Sequence, residues 1–153
     1  MKIAVTSSGH IPSQYAHSIN VVKHANAFVK LGYSVELLSV KRFYENEFIK
    51  EIDDIFNFYG INRLPITFFK DKSIFYFQDK KPFRVLIKIL KKFLPEKIKE
   101  ISDPEKQISH YIKNNNFDLC YSRNFKLTKY NIENKIPTIM ETHSPDPEKK
   151  RDL

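Results

Sequence analysis

Apolar residues recur along this chain with two alternating periods. Ile3 to Val5 is a short apolar run that ends in Ser7-Ser8-Gly9, the pattern of a buried strand stopping at a loop. From Ser18, the residues Val21, Val22, Ala25, Phe28 and Val29 fall at helical spacing, and Gly32 can end that helix in a left-handed conformation. Tyr33, Val35, Leu37, Leu38 and Val40 make a second strand before the basic pair Lys41-Arg42. Strand, helix and strand in this order predict a parallel βαβ unit.

The middle of the chain is less regular. Tyr44 to Tyr59 reads as a helix broken at Gly60, and Leu64 to Phe69 as a third strand. Pro82 to Leu94 sets Phe83, Leu86, Ile87, Leu90, Phe93 and Leu94 on one helical face and Arg84, Lys88, Lys91 and Lys92 mostly on the other. Asp103-Pro104-Glu105 combines a cap, a first-turn proline and an early acid, and predicts a helix running to about Lys113. Phe117 to Ser122 is the fourth strand, Lys126 to Asn134 a short helix, and Thr138 to Glu141 the fifth strand. Asp146-Pro147-Glu148 starts one more helix close to Leu153, too short to stand alone, so the expectation is a chain truncated within a larger fold. The predicted class is α/β, an open parallel sheet with helices on both faces.

Composition narrows this picture. The 153 residues include thirteen Phe and eight Tyr but three Gly, which suits one globular domain, residues 1–153, rather than a disordered or low-complexity chain. The N-terminus turns polar by Ser7, too soon for a signal peptide or a membrane span, which points to a cytoplasmic chain. Cys120, the sole cysteine, sits in an apolar stretch and reads as a buried, inert thiol. The net charge of +8 is concentrated in residues 80–99, where eight Lys and Arg face Glu96. This basic amphipathic insertion has two readings: a core-facing helix with a solvated side, or a helix lying on an anionic membrane at the inner face. No helix-turn-helix, zinc-knuckle or RNP pattern accompanies the charge, so nucleic acid is not an expected partner.

Chemistry in such a sheet gathers at the carboxyl ends of the strands, which directs attention to Ser7 to Asn20, to Ser122-Arg123-Asn124 and to Glu141-Thr142-His143-Ser144. The first of these lacks Gly-x-Gly-x-x-Gly, and Lys41-Arg42 stands where a ribose-binding acid belongs, so a nicotinamide or flavin cofactor is not called for. No Walker lysine motif occurs. The five histidines have neither a cysteine partner nor His-Glu-x-x-His spacing, and no metal is predicted.

Several fragments resemble one family in order and spacing. These are the opening Ile-Ala-Val-Thr-Ser-Ser-Gly, Ala16-His17-Ser18-Ile19-Asn20-Val21, Leu31-Gly32-Tyr33-Ser34-Val35, Asp118-Leu119-Cys120-Tyr121-Ser122-Arg123, and Ile136-Pro137-Thr138-Ile139-Met140-Glu141-Thr142-His143. Together they resemble the N-terminal, acceptor-side domain of family 4 glycosyltransferases, and imply the Rossmann-like first half of a GT-B fold. The resemblance implies a retaining transferase that moves a sugar from a nucleotide-sugar donor to a glycan or lipid-linked acceptor. It assigns His143 to a catalytic position close to the donor sugar. It sets Ser8 and Gly9 close to the sugar and diphosphate, where a small residue lets the backbone approach. A helix start near Ser18 adds partial positive charge at the cleft. The family's basic pair and Glu-x7-Glu motif belong to its second domain, so the expectation is that these residues alone do not catalyse transfer.

Each candidate also has a plainer reading. His143 is a polar loop residue or a site residue, and its position at a strand's carboxyl end favours the site. Glu141 binds substrate or anchors a neighbouring loop; Arg123 contacts an anionic ligand or pairs with Glu141. Asn124 caps the helix that follows it. His17 and Asn20 face the cleft as substrate-binding residues, while Ser18 is also explained as an N-cap. His10, His24 and His110 receive no role. The alternative function is a non-catalytic α/β binding module, or a subunit pairing with a separate donor-binding chain.

Overall fold

A computed structural model describes residues 1–7, 11–41, 54–70 and 103–142. The basic insertion of residues 80–99 with its expected Pro82–Leu94 helix, most of the expected Tyr44–Tyr59 helix and the expected helix start at Asp146 lie outside these residues. The described elements are β1 (Lys2–Ser7), α1 (Ala16–Lys30), β2 (Ser34–Lys41), α2 (Ile55–Tyr59), β3 (Ile66–Lys70), α3 (Pro104–Asn114), β4 (Leu119–Ser122), α4 (Phe125–Glu133) and β5 (Thr138–Met140). All strand pairs are parallel, in the order β3-β2-β1-β4-β5. The chain steps outward from β1 to β3, then returns to the other side of β1 for β4. The strand order therefore reverses between β1 and β4, the place where open parallel sheets form a ligand crevice.

β1 is an unbroken run of buried residues because it is central and covered on both faces. Its successive side chains point to opposite faces. Ile3 and Val5, with Val35 and Leu37 of β2, pack against Val21, Val22 and Ala25 of α1 and Tyr59 of α2. Ala4, with Leu38, Val40 and Cys120, packs against Ile108 and Ile112 of α3 and Leu127 of α4. The expected α/β sheet with helices on both faces is present. Burial raises the Cys120 thiol to about 12, so it is inert at neutral pH.

Two helix starts differ from expectation. α1 begins at Ala16 with Tyr15 in the cap position, and no side chain caps it. Ser18 is inside the first turn and fully buried, so it is not the N-cap. α2 begins after Asp54, whose backbone is extended and whose carboxylate accepts from the Phe56 and Asn57 N–H groups. A helix continuous from Tyr44 to Tyr59 is thereby excluded, because an N-cap has non-helical backbone. Asp103 and Asn124 cap α3 and α4 in the same manner.

The helices end alike. After α1, Gly32 at φ 85° lets its N–H reach Val29 O and the Tyr33 N–H reach Phe28 O, with the Phe28 and Tyr33 rings in contact. α2 repeats this at Gly60. α4 repeats it at Lys135, a residue with a Cβ held at φ 58°, with Lys135 N–H bonded to Ile132 O and Ile136 N–H to Asn131 O. A left-handed conformation costs an L-residue roughly 1–2 kcal/mol that glycine avoids. Lys135→Gly is therefore expected to stabilise the chain by about 1 kcal/mol in urea titration, the gain being reduced by the greater freedom of glycine in the unfolded chain.

Candidate functional site

The approach to the crevice is held from below. β1 ends at Ser7, and Ser8, Gly9 and His10 lie outside the described residues. Where the chain is described again, Ile11 and Ser13 are buried. The Tyr59 hydroxyl accepts from the Ser13 N–H at 2.5 Å and donates to the Ser13 carbonyl at 2.9 Å. One side chain of α2 thus satisfies both backbone groups of a buried loop residue, which otherwise would each lose a hydrogen bond. Ser13 Oγ then accepts from the Tyr15 N–H at 3.1 Å, and α1 starts.

α1 carries His17 and Asn20 on its exposed surface, with the His17 ring stacked on Tyr15 at 5.8 Å. His17, Asn20 and His24 recur at spacings of three and four, so they share one stripe of the helix. His24 is the residue of this stripe that touches the sheet. Its ring meets Tyr121 edge-on at 5.3 Å, and its Nδ1 lies 3.2 Å from the Tyr121 hydroxyl and 3.7 Å from Glu141 Oε2. The Tyr121 hydroxyl donates its hydrogen to Glu141 Oε2. A phenol has a single proton, so the oxygen can only accept from His24, which places a hydrogen on Nδ1.

Arg123 follows β4 and Glu141 follows β5, and the pairing of Ser122 with Met140 brings the two loops together. Arg123 Nε lies 3.5 Å from Glu141 Oε2. The Arg123 side chain is 7% exposed and that of Glu141 28%. Nη1 of Arg123 is shielded from solvent and has no hydrogen-bond partner. Leaving such a donor unmet costs about 1–3 kcal/mol, more on a charged group. Arg123, His24 and Tyr121 thus meet at one carboxylate oxygen of Glu141, beyond the carboxyl ends of β4 and β5.

On the opposite face a second polar cluster is structural. Asp103 caps α3 and also accepts from Lys126 at 2.7 Å and from the Tyr130 hydroxyl at 2.7 Å. Burial raises its carboxyl, but the hydrogen bonds from these neighbours and the Lys126 charge outweigh that and hold it below the usual range. Burial, then the bond and charge of Asp103, raise Tyr130 to about 12; burial, then the bond and charge of Glu141, raise Tyr121 to about 12. A phenol raised in the fold binds its proton more tightly there than in the unfolded chain. Its stabilisation is whole below the unfolded value near 10 and is lost as pH rises towards 12. Stability is expected to fall over this interval, and Tyr121→Phe and Tyr130→Phe each to flatten the decline, as read from urea midpoints taken across the range.

Of the residues singled out in the sequence, Arg123 and Glu141 are brought into contact, and His17 and Asn20 lie on the α1 stripe that leads to them. His143, Ser8 and Gly9 lie outside the described residues. His24 and Tyr121 were not singled out, although two sequence signals carry them. His24 lies two helical turns beyond His17, and Tyr121 stands two residues before Arg123. Glu133 and Glu141 have Glu-x7-Glu spacing, but Glu133 ends α4 and Glu141 follows β5, so they stand at opposite ends of the sheet. Among the described residues no group of three or more His, Cys, Asp and Glu is placed to hold a metal ion, and no helix is long and apolar enough to cross a membrane. Compared with protein-family models, curated proteins and solved structures, the chain matches none.

Proposed function

We propose that this chain is the acceptor-side domain of a GT-B glycosyltransferase, which moves a sugar from a nucleotide-sugar donor to a glycan or lipid-linked acceptor. The observation that carries the reading is the joining of Arg123 and Glu141 at the carboxyl ends of β4 and β5, beside the reversal of strand order. The ordered resemblance from Ile3 to His143 supports it independently. In this reading His143 is the catalytic residue near the donor sugar, Ser8 and Gly9 admit the sugar and diphosphate, and His17, Asn20, Arg123 and Glu141 shape the acceptor side. A second, donor-binding domain supplies most of the charge that stabilises the leaving diphosphate. Residues 80–99 bring an anionic membrane surface close to the acceptor.

The test is transfer by the polypeptide of the whole reading frame, alone and with a separately supplied donor-binding chain. UDP-, GDP- and ADP-linked sugars are offered with host glycan and lipid extracts in anionic or neutral vesicles. Nucleoside diphosphate release is expected, at least about tenfold slower in His143→Ala and faster on anionic vesicles. Absence of release with every donor and both arrangements overturns the reading. A non-catalytic binding module is the alternative, favoured by the engagement of Glu141 with Tyr121, His24 and Arg123, which is what a structural anchor makes.

A further inference from the structure

The geometry points to an oxyanion subsite anchored by Arg123, in which the guanidinium binds a phosphate or carboxylate group of the ligand. This rests on the crevice position argued above, and not on sugar transfer. Arg123 has five N–H donors and, among the described residues, one partner, Glu141 Oε2, at 3.5 Å from Nε. Charge-assisted N–H···O contacts close to roughly 2.7–2.9 Å, so even that one contact is loose. Nη1 faces no acceptor although the side chain is more than nine-tenths buried. A buried guanidinium with one donor unmet calls for an acceptor group, and its planar fork fits two oxygens of one phosphate or carboxylate.

The surroundings favour negative charge. Arg123 directly follows Ser122, which pairs with Thr6 across the reversal between β1 and β4. Asn20, whose amide can donate, is exposed on the α1 stripe that runs to His24. The first turn of α1 is uncapped by any side chain: the Ser18 and Ile19 N–H groups both bond to Tyr15 O. The Ala16 and His17 N–H groups precede them at the positive end of the helix dipole, where no intrahelical carbonyl can reach them. The Ser18 hydroxyl in this turn is also fully buried without a partner. Glu141 is the opposing group. Its carboxylate lies against the Nε edge, leaving Nη1 for the ligand, and it competes with an incoming anion for the same cation.

The experiment is NMR titration of the folded chain with sodium phosphate, pyrophosphate and acetate, following the Arg123 Nε–H resonance and the backbone amides of residues 16–20. Saturable shifts at these positions are expected. Arg123→Lys keeps the charge and the aliphatic stem but loses the fork, and should weaken binding at least about tenfold. Arg123→Gln should abolish it, and Glu141→Gln should tighten it severalfold by removing the competitor. Lys30→Gln, one charge fewer at the other end of α1, should bind as the wild type does. Phosphate binding with acetate inert assigns a phosphate-bearing ligand, and the reverse assigns an acidic, carboxylate-bearing one. Unmoved Arg123 resonances, or equal affinity in wild type and Arg123→Lys, overturn the subsite. Should Arg123→Gln fail to fold, the Lys and Glu141→Gln variants decide alone. Anion binding that survives in a chain shown not to transfer sugar removes the glycosyltransferase reading and leaves the subsite intact.

Discussion

Leu37→Ala is expected to lower stability by about 3–5 kcal/mol, a large part of the roughly 5–15 kcal/mol that holds a domain of this size together. Leu37 is 0% exposed in β2, hydrogen-bonded on one side to β1 and on the other to β3. Its side chain meets Ile3, Val5 and Val35 from the sheet and the apolar stripe of α1. Backbone paired on both edges cannot sink into the vacated volume, so most of the cavity persists and its cost adds to the lost burial. The control is Ile139→Ala on the edge strand β5, where a side chain 52% exposed leaves no closed cavity and a cost below about 1 kcal/mol is expected. Urea unfolding followed by circular dichroism measures both. A fall in midpoint at constant slope is the expected signature for Leu37→Ala, and a cost under 1 kcal/mol contradicts the packing of α1 on β2.

Glu141→Ala carries the second large effect, a loss of about 2–3 kcal/mol. Breaking a fully buried ion pair costs roughly 3–5 kcal/mol because one charge is left without compensation. Glu141 is 28% exposed, so water screens part of the interaction and the lower figure applies. The substitution removes the acceptor that Arg123 has among the described residues, removes the acceptor of the Tyr121 hydroxyl, and releases His24 from its carboxylate. Replacing both partners tests this cause. Arg123→Met together with Glu141→Ala should recover much of the loss, because the uncompensated cation is then gone. A double variant as unstable as the sum of the two singles would assign the cost to packing instead of charge.

The strand and helix order was legible because burial imposes a period. Residues 2–7 read as a strand from three apolar positions, and Asp103-Pro104-Glu105 marked the start of α3 directly, since cap, proline and acid each answer a separate need of a helix N-terminus. Gly32 marked the end of α1 for the same kind of local reason. Ser18 misled because its residue type suits a cap, whereas the apolar stripe it belongs to turned it inward. Asp54 prevents one helix from running through to Tyr59 because its carboxylate competes for the backbone N–H groups that a continuing helix would use.

The site was legible in half. Arg123 and Glu141 could be assigned to the carboxyl ends of two strands from the alternation alone, and their pairing was one of the two readings open for Arg123. His24 escaped because nothing local distinguishes a histidine inside a helix that will meet a tyrosine 97 residues away. Within the described residues the sequence by itself determined the order of strands and helices, the starts of α1 and α2 excepted, because that order follows from periods and caps within a few residues. Only the tertiary structure decided that β4 lies against β1, that the α1 stripe of His17, Asn20 and His24 runs to Tyr121 and Glu141, and that the Arg123 guanidinium is buried with a donor unmet. Periodicity says that a face is covered and not by what, and the covering partner depends on strand order and helix placement across the whole sheet.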